Sequence, residues 1–98
     1  MSFYQVSSRN IRTGRDELLG LNEKLKTEKE TLCSCELNLK NMWQGEASEQ
    51  FHQAFLRDVS MVDAFYRLIM RYGEVLETVA NRYDSAEQKN LAVAGRTI

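Results

Sequence analysis

Cys33, Cys35 and His52 are the side chains of this chain best equipped for chemistry. Two thiols and an imidazole are the raw material of a metal centre or a thiol nucleophile, so their spacing decides what they can do. On a helix, residues two apart point about 200° away from each other, which puts a disulfide between Cys33 and Cys35 out of reach. The same divergence makes Cys-x-Cys a poor start for a tetrahedral metal site, and His52 is the only His, so no second imidazole can complete one. Free thiols and no metal or other cofactor are expected. No Ser/His/Asp or Cys/His constellation and no Gly-rich phosphate loop is present, and His52 stands among Gln50, Phe51 and Gln53 as an ordinary interfacial residue. The expectation is a protein that is not an enzyme.

Composition narrows the partners. The net charge is -1, with 28% charged residues of both signs interleaved, which offers neither nucleic acid nor anionic lipid a basic patch. The first thirty residues carry Arg9, Arg12, Arg15, Asp16 and Glu17 where the apolar stretch of a signal peptide would lie, so no cleavable leader is expected. No segment approaches the roughly 20 apolar residues of a membrane span.

The elements that position these residues follow from periodicity. With no Pro and only five Gly in 98 residues, little interrupts a helix. Tyr4, Ile11, Leu18, Leu25, Leu32 and Leu39 recur every seven residues, and Ser7, Gly14, Leu21, Glu28, Cys35 and Met42 form a companion column with one charged exception, Glu28. This predicts a first helix over about 4–42, roughly 57 Å long. The charges between the columns, including the Glu36 and Lys40 pair four apart, read as a solvated face. Gly45 follows Lys40, Asn41, Met42 and Trp43 as a helix stop, while Glu46 and Glu49 place negative charge where a second helix exposes unpaired N–H groups. The turn is therefore expected at 43–45, with Trp43 as an apolar plug at its corner.

The second helix is expected over about 46–94. Phe51, Phe55, Val62, Phe65, Ile69, Tyr72, Leu76, Val79, Tyr83 and Ala86 follow steps of three and four, broken at Asp58. A parallel column of Ala47, Ala54, Met61, Leu68 and Val75 widens the apolar face beyond what one partner helix covers. The fold class predicted is all-α: one domain over 1–98, an antiparallel helix-turn-helix hairpin that dimerises into an elongated four-helix bundle. Phe51, Ala54, Phe55, Met61, Val62, Phe65, Leu68 and Tyr72 are the candidate dimer interface. An antiparallel register about residue 44 pairs Leu18 with Ile69 and Tyr72, Leu32 with Phe55, and Gly14 with Gly73, where two missing side chains would let the backbones approach. A two-helix hairpin has no concave interior, so no small-molecule substrate is expected.

A length near one hundred, Trp43-Gln44-Gly45 at the midpoint, heptad arms on either side and Tyr83 followed by Glu87 four residues on together resemble the WXG family of helical-hairpin proteins, which includes the early secretory antigenic target. The resemblance spans the whole chain. It implies synthesis in the cytoplasm and export through a type VII (ESX-like) secretion system, without a cleavable signal peptide, as a folded homodimer or a heterodimer with a WXG-like protein. It also implies that Trp43, Gly45, Tyr83 and Glu87 form a composite signal recognised by the system's membrane ATPase. Two other expectations stand beside this one. The chain could be an adaptor or chaperone for a larger toxin using the same machinery, or a purely structural coiled-coil module.

Overall fold

A computed structural model describes residues 7–97, so Tyr4 and the expected start of the first helix lie outside the described residues. Two helices make up the chain: α1, Ser8–Met42, and α2, Glu46–Thr97. They form an antiparallel hairpin measuring 81 × 22 × 17 Å, with no strand among the described residues. Its radius of gyration is 22.5 Å, against about 13 Å for a compact globule of this length. The protein is a rod.

Each boundary has a local cause. Ser7 caps α1, its hydroxyl accepting from the Asn10 N–H at 3.1 Å. At the other end Trp43 leaves the helix in extended backbone while its N–H still reaches the Leu39 carbonyl at 3.0 Å. Gly45 has φ 123°, a conformation that L side chains rarely adopt, and its carbonyl accepts from the Glu49 N–H at 3.2 Å. The glycine thus opens α2 rather than closing α1 as the sequence suggested. Trp43 had already ended the first helix, and the chain needed the positive φ to reverse into the second.

Residues equidistant from the turn do face one another, but the packed column is not the leucine heptad. At the centre of the contact α1 presents Arg15, Asn22, Lys29 and Glu36, themselves seven apart. Arg15 pairs with Glu77. Asn22 Nδ2 donates to the Tyr66 carbonyl at 3.0 Å, Lys29 Nζ meets Asp63 at 2.8 Å, and His52 Nδ1 lies 2.7 and 2.9 Å from the two Glu36 oxygens. Glu36, expected on a solvated face, is only 7% exposed, and Lys40 reaches across to Glu49 at 3.6 Å. Asn22 is 3% exposed, and its Oδ1 has no partner. Ala80 is the one buried apolar side chain among the described residues. The leucine heptad is displaced to one edge of the contact, where Ile11, Leu18 and Leu25 are half-buried while Leu32 and Leu39 are exposed.

The expected approach of Gly14 to Gly73 does not occur. A methyl built on Gly73 would lie 2.8 Å from Leu19 Cδ2, whereas nothing comes within 4 Å of one on Gly14. Gly73 makes room for a leucine of α1, because the register places Leu19 there and turns Gly14 outward.

At the open end Arg12 clamps the helices, reaching Asp84 at 2.9 Å, Asn81 at 2.8 Å and Glu77 at 3.6 Å. Beyond Asp84, α2 continues for about 20 Å past the start of α1, with Leu91 and Val93 exposed.

Candidate functional site

The polar column divides the rod lengthwise into two unlike flanks. One carries α1 residues of the Arg12, Leu19, Lys26, Cys33 and Lys40 column against Asp63, Met70, Glu77 and Asp84 of α2. Charge pairing dominates here. Asp63 holds the Lys29 ammonium above its ordinary value, chiefly by a hydrogen bond. The Tyr66 hydroxyl donates to Glu23 at 2.6 Å, and that bond, with burial, pushes the phenol up. Lys26 Nζ lies 5.7 Å from the centre of the same ring. Glu49 is held below its ordinary value, first by the Gln53 amide and then by Lys40. Each of these side chains finds its partner within the chain.

The other flank is apolar and uncovered. Leu18, Leu21, Asn22, Leu25, Phe65 and Ile69 line a shallow groove of about 260 Å³ between the helices, so Leu18 does meet Ile69, while Tyr72 stands clear of it. Outward from the groove, Leu21, Leu32, Leu39 and Met42 of α1 and Phe51, Met61, Phe65, Leu68, Tyr72 and Val75 of α2 are all exposed. Ala54, Phe55 and Val62 are half-buried, the latter two one column nearer α1. Alternating steps of three and four along α2 align these side chains as two adjacent stripes. The inner one covers α1, and the outer one is not packed against α1 among the described residues.

The sequence pointed to the α2 part of this surface. It missed the contribution of Leu21, Leu32, Leu39 and Met42, which a leucine heptad suggested were the intramolecular seam. It also missed the polar column and the role of His52 as the partner of Glu36. The available signal was the spacing itself, since Arg15, Asn22, Lys29 and Glu36 obey the same interval of seven as the leucines beside them.

The four residues of the expected export signal occupy the two ends of the rod. Trp43 is 41% exposed at the turn, its ring 6.0 Å from that of Phe51 at 51°. Gly45 follows two residues later. Tyr83 and Glu87 are both exposed at the open end, Glu87 beyond the level at which α1 begins. Along α2 the two ends are on the order of 55 Å apart, so one chain does not bring them together.

Cys33 and Cys35 are free thiols, the first half-buried on the charged flank and the second exposed on the apolar one. Among the described residues no three His, Cys, Asp or Glu side chains gather closely enough to hold a metal ion, and no helix is long and apolar enough to cross a membrane. No family model, no curated protein and no solved structure matches this chain.

Proposed function

We propose that this chain is a WXG-like substrate of a type VII (ESX-like) secretion system, exported as a folded dimer in a four-helix bundle. Its signal is composite: Trp43 and Gly45 from the turn of one protomer, Tyr83 and Glu87 from the open end of the other. The secretion ATPase reads that surface, and the protein performs no catalysis.

The turn carries the reading. Trp43-Gln44-Gly45 is the entire link between two long helices, and Gly45 adopts a backbone angle that favours glycine. The motif that the resemblance rests on is thus tied to a geometric need, with Tyr83 and Glu87 at the opposite end of the same rod. A second support is the exposed apolar flank, because a hairpin in which Ala80 is the one buried apolar side chain among the described residues leaves much apolar surface for a partner to cover.

The test is Tyr83→Ala in the producing cell. Tyr83 is exposed, so the variant retains its helical content. It is expected to accumulate inside the cell while the wild-type protein appears in the medium. Export of the variant at the wild-type level overturns the proposal.

A further inference from the structure

We infer that the face of α2 turned away from α1, from Arg71 to Lys89, is a docking surface for an acidic α-helix of a different protein. This goes beyond the proposed export function and does not rest on it. The face lies past the Phe51–Tyr72 stretch of the apolar flank, and on another side of α2 from Tyr83 and Glu87.

Along the sequence the two signs of charge are interleaved, yet on α2 they separate. Arg57, Arg67, Arg71, Arg82 and Lys89 fall within about 80° of the helix circumference, at about 100° per residue, opposite the buried Gly73 and Ala80. All five are exposed, and none has an ion-pair partner among the described residues. By contrast Arg12, Arg15 and Lys29 of α1 each hold an acid of α2. The acids of α2 lie elsewhere. Asp63, Glu77 and Asp84 are engaged with α1, Glu46 and Glu49 stand at the turn before the first cation, and Glu74 and Asp58 border the cationic side on either hand.

The spacing on this face names a helical partner. Arg71, Val75, Thr78, Arg82, Ser85 and Lys89 alternate steps of four and three, the interval at which one helix receives another in a coiled coil, and all six are exposed. Val75, Thr78 and Ser85 are short enough to let a second backbone approach. Thr78, Asn81, Arg82, Ser85, Ala86 and Lys89 line a shallow hollow of about 400 Å³, and five of these six side chains can donate a hydrogen bond. Charge then names the chemistry. An apolar helix laid here would leave Arg71, Arg82 and Lys89 covered without a counter-charge, and a basic one would repel them, so the seam accepts a helix with Asp or Glu at the facing positions.

Other polyanions fit less well. Duplex nucleic acid carries one charge per roughly 1.7 Å, whereas the five cations are spread over about 48 Å of helix with no aromatic side chain between them in that sector for bases to stack on. A lipid surface is bound by bulky apolar side chains among the cations, and of the six seam residues only Val75 is apolar. The chain's own acids are committed. On α1, Asp16, Glu23 and Glu30 recur every seven residues, but Asp16 is held by Arg15 and Glu23 accepts from the Tyr66 hydroxyl, leaving Glu30 as the remaining acid of that column.

The probe is a labelled synthetic helix of about four heptads with Glu and Leu at its two seam positions. Fluorescence anisotropy is expected to show binding to the wild-type protein that weakens about tenfold in Arg82→Glu combined with Lys89→Glu, and about tenfold between about 50 and 300 mM salt. The same peptide with Lys in place of Glu is expected to prefer the double variant. Both replaced residues are exposed, and circular dichroism checks that the helices persist. Equal binding of the Glu and Lys peptides to the wild type overturns the inference, as does no binding at high micromolar concentration or a double variant that binds the Glu peptide undiminished. Tighter binding of duplex DNA or of phosphatidylglycerol vesicles than of the Glu peptide overturns it in favour of another polyanion. Salt-sensitive assembly of the purified protein beyond a dimer, lost in the double variant, overturns it in favour of a second copy. Binding of the Glu peptide by a protein that is not exported would leave this inference standing and remove the secretion proposal, whereas export without such binding would do the reverse.

Discussion

The seam between α1 and α2 and the apolar flank beside it are both built on a seven-residue repeat, yet they differ in almost every other respect. The seam is polar at its centre, with Arg15, Asn22, Lys29 and Glu36 each tied to a specific acceptor or donor on α2. The flank carries the large apolar side chains and leaves most of them exposed among the described residues. Polar contacts are directional and lose much of their value when shifted by a turn, whereas apolar contact is nearly indifferent to register. The seam is thus suited to fixing how the two helices align, and the flank to supplying the energy of association. A buried Asn on a packed column is a known means of choosing register at a cost in stability, and Asn22 fits it, with one amide bond made and one acceptor left unpaired.

The contrast can be broken most severely from the flank. Phe65→Glu together with Leu68→Glu is expected to raise the dissociation constant of the proposed dimer by roughly 100-fold, about 3 kcal/mol, while shifting the unfolding of the dilute monomer by less than about 0.5 kcal/mol. Urea titration at low and high protein concentration separates the two. Equal loss at both would mean that these residues belong to the hairpin's own core.

A smaller effect is expected in the seam. His52→Ala leaves the Glu36 carboxylate buried without its partner and should cost about 2–3 kcal/mol at neutral pH, independent of protein concentration. Replacing both residues by Leu should recover most of that loss, because a well-packed apolar pair is a fair substitute for a buried hydrogen-bonded one. If the double replacement is no better than His52→Ala, the pair is holding the turn by geometry that packing does not supply.

The mildest change is at the open end. Asp84 is held below its ordinary value of 3.8, first by a hydrogen bond from Ser8 and then by Arg12. A carboxylate depressed in the folded state contributes stability that is fully present above its unfolded value and lost as the pH falls through the folded one. Melting temperature should therefore fall on acidification below the ordinary carboxylate range, and Asp84→Asn should flatten part of that fall. The effect is small because the group is solvated, and an unchanged acid slope in the variant would show that the clamp adds nothing to stability.

Much of the candidate surface was legible in the sequence. Phe51, Met61, Phe65, Leu68 and Tyr72 share a helical face by spacing alone, and the structure leaves all five exposed on one flank. Phe55 and Val62 obey the same spacing but lie one column closer to α1, a distinction of about 50° on the helix that periodicity cannot resolve when the apolar face is two columns wide. On α1 the leucine heptad was visible, but whether it packed inside the hairpin or beside it was not.

By itself, then, the sequence determined two long helices and the turn between them: no Pro interrupts the repeats, and Trp43-Gln44-Gly45 supplies the one residue able to take a φ of 123° where the chain reverses. Only the tertiary structure decided which column faces which helix. Local periodicity defines an apolar stripe relative to its own axis, but the rotation of that axis is set by the partners that Arg15, Asn22, Lys29 and Glu36 find far along the chain, from His52 to Glu77 on α2. Their pairing turns the leucines to one side of the seam.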